Sequence, residues 1–283
     1  MSNISLADYH RHPAWSPTAL KAAVTGTMRA WWHRFGPGAA PFVPSADMVK
    51  GDLVDALLTP PFRIEERFAA YKSIARNTKA GAANCAEAEA AGLTPVSFEM
   101  VEQAMRIRDA LHADPVVGEV LAMLDPAHSQ VPHFWDDEAA RPCRCLPDVV
   151  TSDGRLFDLK KTRSAVPRRF YWQAKDLAYD LQIAHLALGH QHRHGQPPAE
   201  AGVIAFEWPS DPAGAAIDCS LLIFDERDQQ TGLQRREEAF QRIAACQESG
   251  IWPSHGRQAF RPVSTSFSLP EAEGLDPDSI DLF

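Results

Sequence analysis

The alternation of apolar and polar residues is strongest between positions 143 and 162, where it predicts a β-hairpin. Two runs rich in β-branched and aromatic residues, 143–151 and 155–162, flank the sequence Ser-Asp-Gly. Such alternation is typical of strands with one buried face. Gly154 suits the left-handed position of a three-residue hairpin loop, because it has no Cβ to clash there.

The length of this loop determines which side chains share a face of the hairpin. A three-residue loop pairs Thr151 with Arg155 and therefore places Asp148 opposite Asp158. Since residues two apart on a strand share a face, Lys160 joins the two carboxylates. A two-residue loop would instead turn Asp148 to the other face. The favoured register predicts two carboxylates and an ammonium group on one patch.

Helical periodicity and capping residues predict the elements around the hairpin. The predicted helices are 16–35, 45–59, 97–112, 114–124, 166–190 and 225–250. The predicted strands outside the hairpin are 130–135, 201–208 and 216–224. Together they indicate one α/β domain over residues 1–262, with a mixed central sheet, the hairpin at its centre and helices on its flanks. Residues 263–283 are expected to form an acidic, flexible C-terminal tail.

Composition describes a soluble globular protein, with 45% hydrophobic and 23% charged residues in 283. The five cysteines lack disulfide-like spacing, which favours a reducing cytoplasm. There is no apolar run long enough to cross a membrane and no signal peptide. The glycine-rich phosphate loop and the nucleophile elbow are also absent, so ATPase and serine-hydrolase functions lack support.

Charge is unevenly distributed along the chain, whose formal net charge is −9. The window 141–175 contains nine Lys or Arg residues and three Asp, a charge of +6, so the remainder carries −15. A basic strip around a carboxylate patch is what a phosphate-binding site requires. Clustered carboxylates, in turn, favour a hard cation such as Mg²⁺ or Mn²⁺.

The residues of the predicted hairpin resemble those of a known family. Pro147-Asp148 followed by Asp158-Leu159-Lys160 resembles the PD-(D/E)XK nuclease signature, and its context is similar to the RecE-type nuclease domain of exodeoxyribonuclease VIII. The opening segment 9–21, the run Tyr179-Asp180-Leu181-Gln182 and the closing Ile251-Trp252-Pro253 extend the resemblance over residues 9–253.

The resemblance implies a PD-(D/E)XK fold and a metal-dependent exonuclease that degrades linear double-stranded DNA from 5′ to 3′ in phage-type recombination or repair. It implies a catalytic set of Asp148, Asp158, Lys160 and Gln182, with Mg²⁺ held by the two aspartates. It further implies a ring-shaped homo-oligomer and a single-strand annealing protein as partner.

Two positions depart from the family pattern. Many relatives carry a metal-binding histidine where Asp55 stands, so Asp55 is a third candidate ligand or an exposed helix carboxylate. Relatives often carry a glutamate near Gln130, which is neutral. Two other functions therefore stay open: a DNA-end-binding or regulatory protein with weakened chemistry, and an endonuclease or helicase–nuclease subunit.

The basic strip supplies the candidate DNA contacts, which would bind backbone phosphates. They are Lys161, Arg163, Arg168, Arg169 and Lys175. On the predicted helix 166–190, Tyr171, Lys175 and Gln182 share one stripe, while the apolar residues form another. Cys143-x-Cys145 and the histidines at 190, 192 and 194 are interpreted as packing and helix-end residues rather than metal ligands.

The last five residues resemble the short peptide with which bacterial replication proteins bind the sliding clamp. Ile280, Leu282 and Phe283 would be its apolar anchors. The alternatives are an acidic solubilising tail, a strand docked on the protein's own core, or a segment that mimics nucleic acid and covers the basic strip.

Overall fold

The computed structural model of the protein describes residues 4, 6–40, 42–59, 64–209 and 216–255. The helices are α1 Leu6–Arg11, α2 Pro17–Thr25, α3 Met28–Phe35, α4 Ala46–Leu58, α5 Ile64–Arg67, α6 Lys79–Ala90, α7 Phe98–Ala113, α8 Val117–Ala122, α9 Pro167–Asp176, α10 Tyr179–His194 and α11 Glu226–Ser249. The strands are β1 Phe68–Tyr71, β2 Thr94–Ser97, β3 His133–Asp136, β4 Pro142–Cys145, β5 Val149–Val150, β6 Leu156–Thr162, β7 Ala201–Glu207 and β8 Cys219–Ile223.

A four-stranded mixed sheet carries the hairpin. Its order is β5-β6-β7-β8, with β6 parallel to β7 and the other two pairs antiparallel. The expected mixed α/β architecture is therefore present. The hairpin is not at the centre of the sheet, because the two-residue strand β5 lies at its edge and only β6 is internal.

Side chains from alternate positions of this sheet enter two separate cores. Leu156 and Val203 belong to the core formed with α2, α3, α10 and α11, whereas Phe157 and Ile204 belong to the core formed with α4, α7 and α8. Helices thus cover both faces, and burial of each face stabilises the sheet. Asp158 and Lys160 share the parity of Leu156, so they point toward α2 and α10.

Capping explains why several predicted helices begin where they do. The side-chain oxygens of Ser45, Ser97 and Asp225 accept main-chain N–H groups at the starts of α4, α7 and α11. The prediction of one helix over 16–35 is wrong, because the chain breaks at Gly26 and Thr27 caps α3. The predicted strand 130–135 starts later, since β3 begins at His133.

Two smaller sheets complete the described part of the chain. The pair β3–β4 is antiparallel, and the pair β1–β2, which the sequence did not predict, is parallel. Across the described ranges, none of the helices combines the length and the apolar character that crossing a lipid bilayer requires.

Candidate active site

The hairpin has the predicted register. Val150 pairs with Leu156, and the Thr151 N–H donates to the Arg155 carbonyl at 2.9 Å. Asp148 therefore lies opposite Asp158.

The first arm of the hairpin is not one strand, as predicted, but two strands separated by residues 146–148. Pro147 has no N–H to continue a ladder, and β4 pairs with β3 instead. The break frees the Asp148 side chain, whose Oδ2 accepts the Leu159 N–H at 2.8 Å. Asp148 is thus fixed by the neighbouring strand's main chain.

Asp158 and Lys160 form a buried ion pair on β6. Burial acts to lower the pKa of Lys160, but the carboxylates of Asp158 and Asp148 outweigh it and raise that pKa. The Lys160 ammonium consequently stays protonated over the whole physiological range. Its chemistry is that of a fixed positive charge and hydrogen-bond donor, not of a base.

Gln182 reaches the same pair from α10. Its Nε2 donates to Asp158 Oδ1 at 2.5 Å, and its Oε1 accepts from Lys21 Nζ on α2 at 2.5 Å. The Tyr179 ring lies beside both ammonium groups, with centroid distances of 4.8 Å to Lys21 Nζ and 5.4 Å to Lys160 Nζ. Side chains of α2 and α10, which lie on one face of the sheet, thus contact the ion pair on β6.

Asp55, on α4, and Gln130, in the segment before β3, also reach the site. The Gln130 Nε2 lies 3.0 Å from both carboxylate oxygens of Asp55 and 2.8 Å from Asp148 Oδ1. Arg67 Nη1 is 3.8 Å from Asp55 Oδ2, and Thr59 Oγ1 donates to Asp55 Oδ1 at 3.3 Å. Asp55 is therefore not the exposed helix carboxylate that the sequence left open.

The backbone around Gln130 is specialised for this contact. Gln130 has φ of +53°, a left-handed conformation that is uncommon outside glycine. Its N–H donates to the Pro147 carbonyl at 2.8 Å, and the Ser129 hydroxyl bonds both main-chain groups of Val150, at 2.9 and 3.1 Å. A segment outside any strand thus pairs with the free edge of β5 and aims Gln130 at the carboxylates.

We call Asp55, Asp148 and Asp158 the carboxylate cluster. Burial and, after it, the charges of Asp158 and Asp55 raise the pKa of Asp148 well above its usual range. Burial likewise raises the pKa of Asp55 to about 6, although Arg67 opposes the shift. Negative charge in this cluster is therefore under-neutralised by its protein neighbours, Lys160 included.

Such a cluster fits a hard divalent cation in its donor chemistry. Carboxylate oxygens are the ligands of Mg²⁺, which commonly takes only one or two of them and keeps water for the rest. In the part of the chain that the structure describes, no three His, Cys, Asp or Glu side chains are arranged as a complete metal-binding group. The Gln130 amide joins Asp55 to Asp148 instead, so a cation bound between these two would displace that amide.

The candidate DNA-binding residues do not form one surface. Lys161 points to the opposite face of the sheet from Lys160, where its Nζ lies 3.1 Å from Asp47 of α4. Lys175 Nζ lies 3.9 Å from Asp228 of α11. The other three are solvent-exposed at the end of β6 and on α9: Arg163, Arg168 and Arg169.

The predicted helix 166–190 is two helices, α9 and α10, because Ala178 adopts a left-handed conformation with φ of +50°. The expected stripe of Tyr171, Lys175 and Gln182 therefore does not exist: Lys175 pairs with α11 while Gln182 faces Asp158. Leu177, one of the apolar residues of that predicted helix, is 43% exposed at the break.

Residues interpreted as packing do pack. Cys143 and Cys145 are buried free thiols, and Arg236 Nη2 lies 3.2 Å from Cys143 Sγ. The rings of His190 and His194 are tilted by 31° to each other, with centroids 4.3 Å apart. The proposed clamp-binding residues, Ile280, Leu282 and Phe283, lie outside the described residues.

Sequence reasoning missed a role for Lys21 and Tyr179. One signal was available: Lys21 is the only charged residue in α2, whose other residues are apolar or uncharged. Its partner Gln182 is 161 positions away, so no local pattern connects them.

The architecture is shared with a solved structure. A crystal structure from Eubacterium rectale, described as a "putative exonuclease", superposes with a TM-score of 0.63 at 14% sequence identity, covering 93% of this chain and 97% of that chain. At this identity the likeness establishes a common fold. No protein-family model matches the sequence, and no curated protein matches it significantly.

Proposed function

We propose that this chain is a metal-dependent nuclease of the PD-(D/E)XK type, acting as an exonuclease on linear double-stranded DNA. One observation carries the proposal. Asp148, Asp158 and Lys160 of the hairpin lie close together, and Gln182 reaches them from α10, the helix that covers this part of the sheet. The shared fold with a structure described as a "putative exonuclease" supports it.

Asp148 and Asp158 would hold Mg²⁺ or Mn²⁺, with Asp55 as a third ligand. When bound, the cation would act as a Lewis acid for the phosphate and would lower the pKa of a bound water. Lys160, which stays protonated, stabilises the negative charge that develops on the cleaved phosphate and orients the attacking water. Gln182 holds the Asp158 carboxylate in place through its Nε2.

The exposed arginines at the end of β6 and on α9, Arg163, Arg168 and Arg169, would contact backbone phosphates. Lys161 and Lys175 are weaker candidates, because each already lies beside an aspartate. The 5′-to-3′ direction rests on the resemblance to RecE-type nucleases.

One observation favours a second candidate, a DNA-end-binding protein with weak or no catalysis. The Gln130 amide hydrogen-bonds two of the three carboxylates, and so occupies the space between the proposed ligands. For cleavage this amide must move when the cation binds. If it does not, the same basic surface would bind DNA ends without hydrolysis.

A set of DNA substrates distinguishes these functions. Purified protein with Mg²⁺ should release acid-soluble nucleotide from linear duplex, and release should stop when EDTA is added. Covalently closed plasmid should stay intact, and duplexes protected by phosphorothioates at either the 5′ or the 3′ ends should reveal the direction. DNA binding without nucleotide release would support the end-binding function, and nicking of the closed plasmid would support an endonuclease.

A further inference from the structure

Lys21 connects a remote helix to the centre of the proposed site. It lies on α2, and its Nζ donates to Gln182 Oε1 at 2.5 Å. Gln182 Nε2 donates in turn to Asp158 Oδ1 at 2.5 Å, and Asp158 pairs with Lys160. Two lysines thus approach one carboxylate, Lys160 directly and Lys21 through the amide.

The chemistry of an amide makes this arrangement directional. Glutamine has one acceptor end and one donor end, whereas an ammonium group only donates and an ionised carboxylate only accepts. Asp158 can therefore satisfy only the Nε2 end of Gln182, which leaves Oε1 to accept from Lys21 Nζ. With the amide reversed, Oε1 would face the Asp158 carboxylate, which is repulsive.

We propose that Lys21 is a positioning residue: its Nζ donates to the amide of Gln182 and fixes it, and Gln182 in turn holds Asp158 in its working orientation beside Lys160. The inference rests on the proposed nuclease function for its consequence in catalysis. The contact itself is independent of that function.

The electrostatic cost of Lys21 supports a specific role. Burial and, after it, the nearby Lys160 charge lower the pKa of Lys21 to about 7, against a smaller raising effect of Asp158. In α2, buried Pro17, Ala19, Leu20 and Ala23 already provide the packing surface. A lysine that is costly to protonate here and is not needed for packing is consistent with a role in its hydrogen bond to Gln182.

A double-mutant cycle tests the proposal. Lys21→Met and Gln182→Leu should each reduce kcat about tenfold or more while KM for DNA changes far less, because both disturb Asp158 and not DNA binding. If Lys21 acts through Gln182, the double variant should be no slower than the slower single variant. Lys21→Arg, which keeps a donor-only cation, should recover part of the rate. Lys79→Met, an exposed lysine on α6, is the matched control and should keep wild-type kcat.

Additive losses in the cycle, or a loss expressed only in KM, would overturn the positioning role. Circular dichroism checks folding, and Lys21→Gln replaces Lys21→Met if that variant unfolds. A second readout uses protein labelled with [¹⁵N]glutamine: the Gln182 side-chain signals, identified by their loss in Gln182→Leu, should shift in Lys21→Met and not in Lys79→Met. If wild-type protein degrades no DNA, the nuclease proposal fails, and unshifted Gln182 signals would separately refute the contact.

Discussion

Two buried polar clusters lie one helical turn apart on α10, and their electrostatics are opposite. Gln182 belongs to the carboxylate cluster, in which acidic groups crowd together. His185 belongs to what we call the arginine cluster: Arg236, Asp137, Arg141 and His185. Both clusters bury charge, which is costly unless it is paired and hydrogen-bonded.

In the arginine cluster the carboxylate is fully satisfied. Asp137 Oδ2 accepts from Arg236 Nη2 at 2.7 Å and Arg141 Nε at 2.8 Å, and its Oδ1 accepts the N–H groups of Ala139 and Arg141 at 3.0 Å. Burial acts to raise the pKa of Asp137, but these hydrogen bonds outweigh it and the pKa is lowered. Asp137 is thus an ionised, neutralised structural group.

His185 completes the arginine cluster as a neutral ring. One ring nitrogen, Nε2, lies 3.1 Å from the Arg144 carbonyl and the other, Nδ1, lies 3.2 Å from Arg236 Nε. Burial and then the Arg236 charge lower the pKa of His185 to about 3. The ring therefore serves as donor to one partner and acceptor to the other without titrating at physiological pH.

The carboxylate cluster lacks this balance, since the pKa values of Asp148 and Asp55 are both raised. The same protein supplies four hydrogen bonds to the carboxylate of Asp137 but leaves the negative charges of Asp148 and Asp158 incompletely neutralised where they face each other. Groups perturbed in this way concentrate at functional sites. The contrast predicts that changes in the arginine cluster alter stability and that changes in the carboxylate cluster alter chemistry.

The largest expected effect is on stability. Arg236→Met should lower the free energy of unfolding by about 3–5 kcal/mol, because it leaves buried Asp137 and His185 without a main partner. Urea denaturation measures this loss. Arg242→Met, on the same helix α11 but beside the exposed Glu238, should cost less than about 1 kcal/mol. Equal losses in the two variants would contradict a stabilising role for the contacts of Arg236 in the arginine cluster.

The second effect is on chemistry. Asp158→Ala and Lys160→Ala should each slow DNA hydrolysis by about a hundredfold or more, because each removes a proposed metal ligand or the charge proposed to stabilise the cleaved phosphate. Rates are compared under single-turnover conditions, with folding checked by circular dichroism. Asp153→Asn, in the hairpin loop, is the control. Near wild-type turnover in either alanine variant would refute the site.

The third effect is on metal affinity, which is expected to change by about tenfold. If Asp55 is a ligand, Asp55→Ala should raise the Mg²⁺ concentration needed for half-maximal activity, whereas Asp55→His should be tolerated. Isothermal titration with Mn²⁺ measures the same change without turnover. An unaltered titration curve for Asp55→Ala would assign Asp55 a structural role.

A smaller effect concerns pH. The raised pKa of Asp55, about 6, means that the folded state holds more protons than the unfolded state between pH 4 and 6. The free energy of unfolding therefore falls as pH rises through that window. Above it, Asp55 is ionised in the folded state and the loss of stability is complete. Asp55→Asn should remove the penalty and raise stability at pH 7.5 by about 1–2 kcal/mol without Mg²⁺. Thermal melts measure the difference. If Asp55→Asn and wild type have the same thermal stability at pH 7.5 as well as at pH 5, the prediction is contradicted.

The smallest effect is on DNA binding. Arg168→Glu combined with Arg169→Glu should weaken binding and reduce the slope of log K against log salt by about two, because two phosphate contacts are lost. Fluorescence anisotropy at several salt concentrations gives the slope. Arg106→Glu, an exposed arginine on α7, is the control. An unchanged slope in the double variant would place DNA elsewhere.

The sequence by itself determined the local parts of this protein. Ser45, Ser97 and Asp225 start their helices as their hydrogen-bonding chemistry requires, and a three-residue loop brought Asp148 opposite Asp158. These features depend on residues within a few positions of one another, where capping, periodicity and loop length decide the conformation.

Only the tertiary structure decided how the site is completed. Gln130 meets Asp55 across 75 positions, and Lys21 meets Gln182 across 161. The break at Ala178, which turns Gln182 toward Asp158 while Lys175 faces α11, runs against local helix periodicity. Such contacts are fixed by how helices pack on the two faces of the sheet and around its edge, and packing depends on the whole chain at once.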